Sequence, residues 1–180
     1  MLTIENTALL VIDVQGKLAE IMDEKEKLFA GLEKIIKGVK VLGLPIIWTE
    51  QVPNKLGPTT PALAELMQDV AQPIIKSAFS CSGEASFTAQ VEALGRHNLL
   101  VTGIETHICV YQTSLDLQAQ GYQVHLVTDA VSSRTPENRA LAIARIEHAG
   151  GILTSTEMAL FELLRVAEGD QFKAISRIVK

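Results

Sequence analysis

Two cysteines in 180 residues, Cys81 and Cys109, are too few for a disulfide framework and point to a reducing compartment. Long apolar runs are missing too, since none approaches the roughly 20 residues that span a bilayer. The first apolar stretch, Ala8 to Ile12, is broken by Asp13, and no basic segment precedes it. Neither a membrane span nor a secretory signal is expected. Basic charge is in deficit, with 16 Lys and Arg against 21 Asp and Glu and a formal charge of −5, which argues against a dominant nucleic-acid surface. Low-complexity tracts and true repeats are absent. What remains is 47% apolar and 21% charged residues, the make-up of one soluble domain over residues 1–180, expected in the cytoplasm. A domain of this size needs no disulfide or metal staple.

Short β-branched runs alternate with longer helical patterns. Ala8-Leu9-Leu10-Val11-Ile12 reads as a central strand covered on both faces. A helix is predicted from Asp23 to Leu42, with Leu28, Leu32, Ile35, Ile36, Val39 and Leu42 on one side. Gly43-Leu44-Pro45 stops it and Ile46-Ile47-Trp48 is the next strand. Further strands are predicted at Pro73–Lys76, Asn98–Gly103, Val124–Val127 and Ile152–Thr154. Helices are expected at Ser86–Leu94, Thr106–Gln120, Pro136 to Gly150, Glu157–Arg165 and Asp170–Val179. This alternation predicts an α/β fold, a mostly parallel sheet with helices on both faces. Gln51 to Thr60, with two prolines and a glycine, reads as a mobile loop over a site.

In such a sheet ligands collect at the C-terminal strand ends. Three reactive side chains fall there: Asp13 after the first strand, Lys76 after Pro73-Ile74-Ile75, and Cys109 just past the fourth strand. Singly, each has a plain reading: a turn-capping Asp, a solvated Lys, a small buried Cys. Together at one rim they form an acid–base pair and a thiol. Cys109 follows Gly103-Ile104-Glu105-Thr106-His107-Ile108 at a strand-to-helix junction. Free amides and the helix dipole there favour a thiolate and can receive an oxyanion. A nearby Lys76 ammonium would favour the thiolate further, which predicts reaction of Cys109 with iodoacetamide below the free-thiol pKa of about 8.5. Thr106 is a candidate helix N-cap.

Asp13-Val14-Gln15, Lys76-Ser77-Ala78-Phe79-Ser80 and Gly103 through Val110 resemble, in order and spacing, the three motifs of the isochorismatase-like cysteine hydrolases. The resemblance runs from Leu9 to Ser155. Trp48-Thr49-Glu50-Gln51 with Leu56-Gly57-Pro58-Thr59 is similar to the isochorismatase-domain-containing branch. The resemblance implies a Rossmann-like, three-layer α/β/α fold with a six-stranded sheet. It implies Cys109 as nucleophile, Asp13 as the base that takes its proton, and Lys76 as the cation that orients the site. It also implies a cis peptide at Ile104–Glu105, with the amides of Glu105 and Cys109 as the oxyanion hole. Gln15, Gln51 and Phe79 are expected as pocket walls near substrate, and His107 either reaches the pocket or faces a subunit contact.

Departures narrow the reading. Nicotinamidases of this superfamily hold a metal with an Asp-x-His pair and a further His. Here the matching segment is Thr49-Glu50-Gln51-Val52-Pro53, and no histidine precedes His97. No metal and no other cofactor is therefore expected. Enzymes acting on isochorismate typically lack the cysteine, so Cys109 points to a C–N or other acyl bond in a small molecule. The protein is expected to self-associate as a homo-oligomer and to bind neither nucleic acid nor membrane. Two rivals stand beside this reading. One is a thiol redox protein using Cys109, with Cys81 as a resolving thiol at the site mouth, although a packing role for Cys81 is favoured and no C-x-x-C pair is present. The other is a non-catalytic interaction module that keeps the fold.

Overall fold

Each apolar run becomes a strand of one sheet. The structure, a computed structural model, describes residues 1–180. Its strands are β1 (Thr7–Ile12), β2 (Ile46–Gln51), β3 (Ile74–Lys76), β4 (Asn98–Ile104), β5 (Gln123–Ser132) and β6 (Ile152–Thr154). All neighbours are parallel, in the order β3-β2-β1-β4-β5-β6. Nine helices accompany them: α1 (Gly16–Glu20), α2 (Lys25–Leu42), α3 (Pro53–Leu56), α4 (Pro61–Met67), α5 (Ala85–Leu94), α6 (Tyr111–Ala119), α7 (Pro136–His148), α8 (Thr156–Leu164) and α9 (Gly169–Val179).

The unbroken apolar run of β1 serves two cores. Leu9 and Val11 join Leu32, Ile35 and Val39 of α2, Leu160 of α8 and Ile175 of α9 on one face. Ala8, Leu10 and Ile12 join Phe87 and Val91 of α5, Leu117 of α6 and Ile146 of α7 on the other. The fold is therefore three-layered, α/β/α. The predicted end of α2 is present: Gly43 takes a left-handed φ of +74°, and the Leu44 amide donates back to the Val39 carbonyl at 2.9 Å.

The chain moves outward from β1 to β2 and β3, then returns beside β1 as β4 and moves out the other way. Right-handed crossovers then open a crevice where the order reverses, at the C-terminal ends of β1 and β4. Register brings four strand ends level there. Ile12 pairs with both Thr49 and Gly103, and Gln51 pairs with Lys76. Gly103 has φ +108°, and a Cβ on it would run into the backbone of Ile12. Only glycine lets β4 lie this close to β1 at the crevice.

Several expectations change. The predicted helix Thr106–Gln120 begins as a single π turn, Thr106–Val110, in which the Val110 amide donates to the Glu105 carbonyl at 3.2 Å, before α6 starts. The strand at Val124–Val127 runs on to Ser132, past a polar Thr128-Asp129 pair that looked like its end. Helices α1, α3 and α4 are too short for periodicity to reveal. The segment Gln51–Thr60 is no loose flap. Gln15 and Thr59 form an isolated bridge, and the Gly16 and Thr60 amides donate to Pro58 and Val14 carbonyls at 3.2 and 2.9 Å. Trp48 Nε1 donates to Thr59 Oγ1 at 2.8 Å, and the Thr59 amide donates to Glu50 Oε1 at 2.6 Å. These bonds pin the segment to β1 and β2.

Candidate active site

Asp13 leaves β1 in a left-handed turn, φ +51°, which carries the chain out of the sheet and leaves the carboxylate in the crevice. The Asp13 amide donates to the Thr49 carbonyl at 3.2 Å, and Thr49 Oγ1 donates to Asp13 Oδ1 at 2.8 Å. The fully buried Lys76 ammonium lies 2.6 Å from Asp13 Oδ2. Lys76 Nζ donates to the Ala78 and Phe79 carbonyls at 3.0 and 3.1 Å. This charge pair is the contact of Oδ2, while Oδ1 takes the Thr49 hydroxyl.

Cys109 sits in the π turn after β4, with only 5% of its surface exposed. Its Sγ donates to Gln51 Oε1 at 3.3 Å, while Gln51 Nε2 donates to the Ser77 carbonyl at 3.2 Å. A cavity of about 160 Å³ opens above it, walled by Asp13, Gln51, Glu105 and Cys109 together with the apolar side chains of Leu18, Leu56, Phe79, Ile104 and Ile108. The Ile104–Glu105 peptide is cis, where the motif placed it. Glu105 is buried, and its Oε2 accepts from the backbone amide and Nε of Arg134 at 3.0 and 3.1 Å.

The electrostatics differ from the sequence expectation. Burial pushes the Cys109 thiol well above its usual range, the Asp13 carboxylate adds to the rise, and Lys76 offsets only part of it. The cause is geometric. The charge of Lys76 is matched by Asp13, so it does not act on the sulfur as a free cation. This direction runs against the expected alkylation below pH 8.5.

Residues 7–158 match the family model described as Isochorismatase domain. The chain belongs to the isochorismatase family. It is 34% identical to the secreted isochorismatase effector Isc1 of Phytophthora sojae, across 97% of this chain and 85% of that one. Among solved structures it is similar to MAR1 ribonuclease of Caenorhabditis elegans, with TM-score 0.91 and 34% identity over 99% of this chain and 91% of the other. It is also similar to the YcaC gene product of Escherichia coli, an octameric hydrolase of unknown specificity, with TM-score 0.93 and 25% identity over 98% and 88%. The family is generally one of hydrolases.

Within this isochorismatase domain, Asp13, Gln51, Phe79, Ile104, Glu105 and Cys109 meet at the cavity, and Lys76 underlies it. Two expected substrate contacts do not. Gln15 is fully buried and acts as a clasp: its Nε2 donates to the Gly57 and Gln51 carbonyls at 2.7 and 3.2 Å, and its Oε1 accepts from the Gln51 amide at 2.7 Å. His107 lines a separate hollow with Tyr111, Leu141 and Arg145, its Nδ1 3.0 Å from Ser133 Oγ. Two positions apart on a helical turn, His107 and Cys109 face different ways. Thr106 is no cap either, because Glu105 occupies that position. Cys81 lies in the core rather than at the mouth, its Sγ 3.8 Å from Thr49 Oγ1.

Sequence reasoning missed Thr49, Leu18, Leu56, Ile108 and the Glu105–Arg134 pair. The register Ile12↔Thr49 makes Thr49 the natural neighbour of Asp13, and that much follows once β1 and β2 are taken as parallel neighbours. No group of three His, Cys, Asp or Glu converges as a metal site requires. Glu50, in the segment where nicotinamidases carry their metal ligands, is committed to the Thr59 amide. No helix is long and apolar enough to cross a membrane.

Proposed function

We propose that this protein is a cysteine hydrolase of a C–N or other acyl bond in a small molecule, with Cys109 as nucleophile, Asp13 as proton carrier and Lys76 as the charge partner of Asp13. The observation that carries the reading is the placement of the Cys109 thiol and the buried Asp13 carboxylate in one small cavity, with Lys76 paired to that carboxylate.

Carbonyl attack begins as Asp13 Oδ2 takes the thiol proton and Sγ bonds to the carbonyl carbon. The carbonyl π pair moves to oxygen, which the amides of Glu105 and Cys109 receive. When that pair returns, the C–N bond breaks and Asp13 gives its proton to the leaving nitrogen. Water then loses a proton to Asp13 and adds to the thioester. The C–S bond breaks, the acid is released, and the sulfur regains its proton from Asp13. Each cycle consumes one water and returns both residues to their starting states. Lys76 stays paired with Asp13 beneath the cavity.

A redox role fits less well, since Cys81 is enclosed in the core. A bare scaffold has no use for a buried ion pair beneath an open thiol. Two free buried thiols support a cytoplasmic setting, and the octameric relative supports self-association. The test is a panel of small amides, ureides and esters, assayed with native protein and Cys109→Ala. Hydrolysis lost in the variant is expected. Equal turnover by both would overturn the reading.

A further inference from the structure

The walls of the cavity also limit what it accepts. Five of the nine wall residues are apolar: Leu18, Leu56, Phe79, Ile104 and Ile108. None is Lys or Arg, and the two ionisable carboxyl groups present, Asp13 and Glu105, are both acidic. The cations that balance them are committed. Lys76 is enclosed beneath Asp13 with its protons on two carbonyls, and Arg134, which is not a wall of the cavity, gives its Nε and amide to Glu105. Gln51 is also spent at both ends, on Cys109 and Ser77. A carboxylate or phosphate on the substrate would lose its hydration here among carboxylates whose cations are already paired, and find no free cation in return.

We propose that the cavity selects neutral, apolar acyl groups, so that the substrate is a small uncharged amide or ester carrying an aliphatic or aromatic group and no carboxylate or phosphate. This rests on the cysteine-hydrolase reading and adds the substrate class. A volume of about 160 Å³, below the usual range for drug-sized ligands, restricts the acyl group to a few carbons. The acyl chain lies against Leu18, Leu56 and Ile108, and the carbonyl oxygen faces the Glu105 and Cys109 amides.

Two pairs of probes test this. Butyramide and succinamate differ by a terminal methyl against a carboxylate, and kcat/KM is expected to favour butyramide by at least about 100-fold. Iodoacetamide and iodoacetate form a matched pair that needs no turnover. Their rate ratio at Cys109, read by peptide mass spectrometry, should exceed the ratio for the same cysteine in urea by at least about 100-fold. Leu56→Lys puts a cation on the half-buried rim and should narrow the folded-state ratio at least about tenfold. Succinamate turned over as well as butyramide, a ratio equal to that in urea, or a folded Leu56→Lys protein with an unchanged ratio would each overturn the proposal. Failure of the hydrolase reading looks different: neither amide is cleaved, while the alkylation ratio stays high.

Discussion

Cys81 and Cys109 are both buried thiols raised above their ordinary range by loss of solvent, yet they stand in opposite situations. Cys81 is wholly enclosed, its amide donating to Thr113 Oγ1 and its sulfur packed near Thr49. Cys109 faces a cavity that the Asp13 carboxylate also lines. Both thiols hold their proton, so a low pKa does not separate nucleophile from packing residue here. Access and a neighbouring base do.

The sharpest way to break that contrast is substitution at each sulfur. Cys109→Ala should lower kcat by at least ~10³-fold. Cys81→Ala should leave kcat within a few-fold, because no part of Cys81 reaches the cavity. Comparable losses in both variants would show that the enclosed thiol participates.

Next in size is the buried ion pair of Asp13 and Lys76. Lys76→Met leaves Asp13 buried without its counter-charge and should cost about 3–5 kcal/mol in urea unfolding. Adding Asp13→Asn should return most of that loss, since the unpaired charge is then gone. Full additivity of the two changes would mean that the 2.6 Å contact carries no coupling.

The smallest effect sharpens the view of Cys81 as a core thiol. Folding raises its pKa from about 9 to about 11. The folded state therefore holds a proton that the unfolded state releases, and stability falls as pH rises through that window. Two units correspond to about 2–3 kcal/mol. Native protein should lose that much more stability than Cys81→Ala between pH 9 and pH 11, as read by denaturant midpoints at each pH. Parallel curves would place the thiol in contact with solvent.

Much of the site was readable before any coordinates. Asp13, Lys76 and Cys109 each follow an apolar strand, and parallel register alone brings the ends of β1, β3 and β4 to one rim. The remainder depends on contacts that local pattern does not carry. Arg134 reaches Glu105 across 29 positions, and Gln15 clasps Gln51 across 36. A π turn stands where the helix was expected to begin in α form, and His107 lines a hollow separate from the cavity. The protonated thiol was hidden for a different reason. A helix start and a lysine in sequence both promise a thiolate, whereas burial and the prior claim of Asp13 on Lys76 exist only in three dimensions.

The most direct test is to quench turnover of a small neutral ester within its first cycles and map the acyl group by peptide mass spectrometry. The acyl mass is predicted on the peptide containing Cys109, absent from the peptide containing Cys81, and absent altogether in Cys109→Ala. Rapid hydrolysis with no adduct on Cys109, and undiminished in Cys109→Ala, would contradict it.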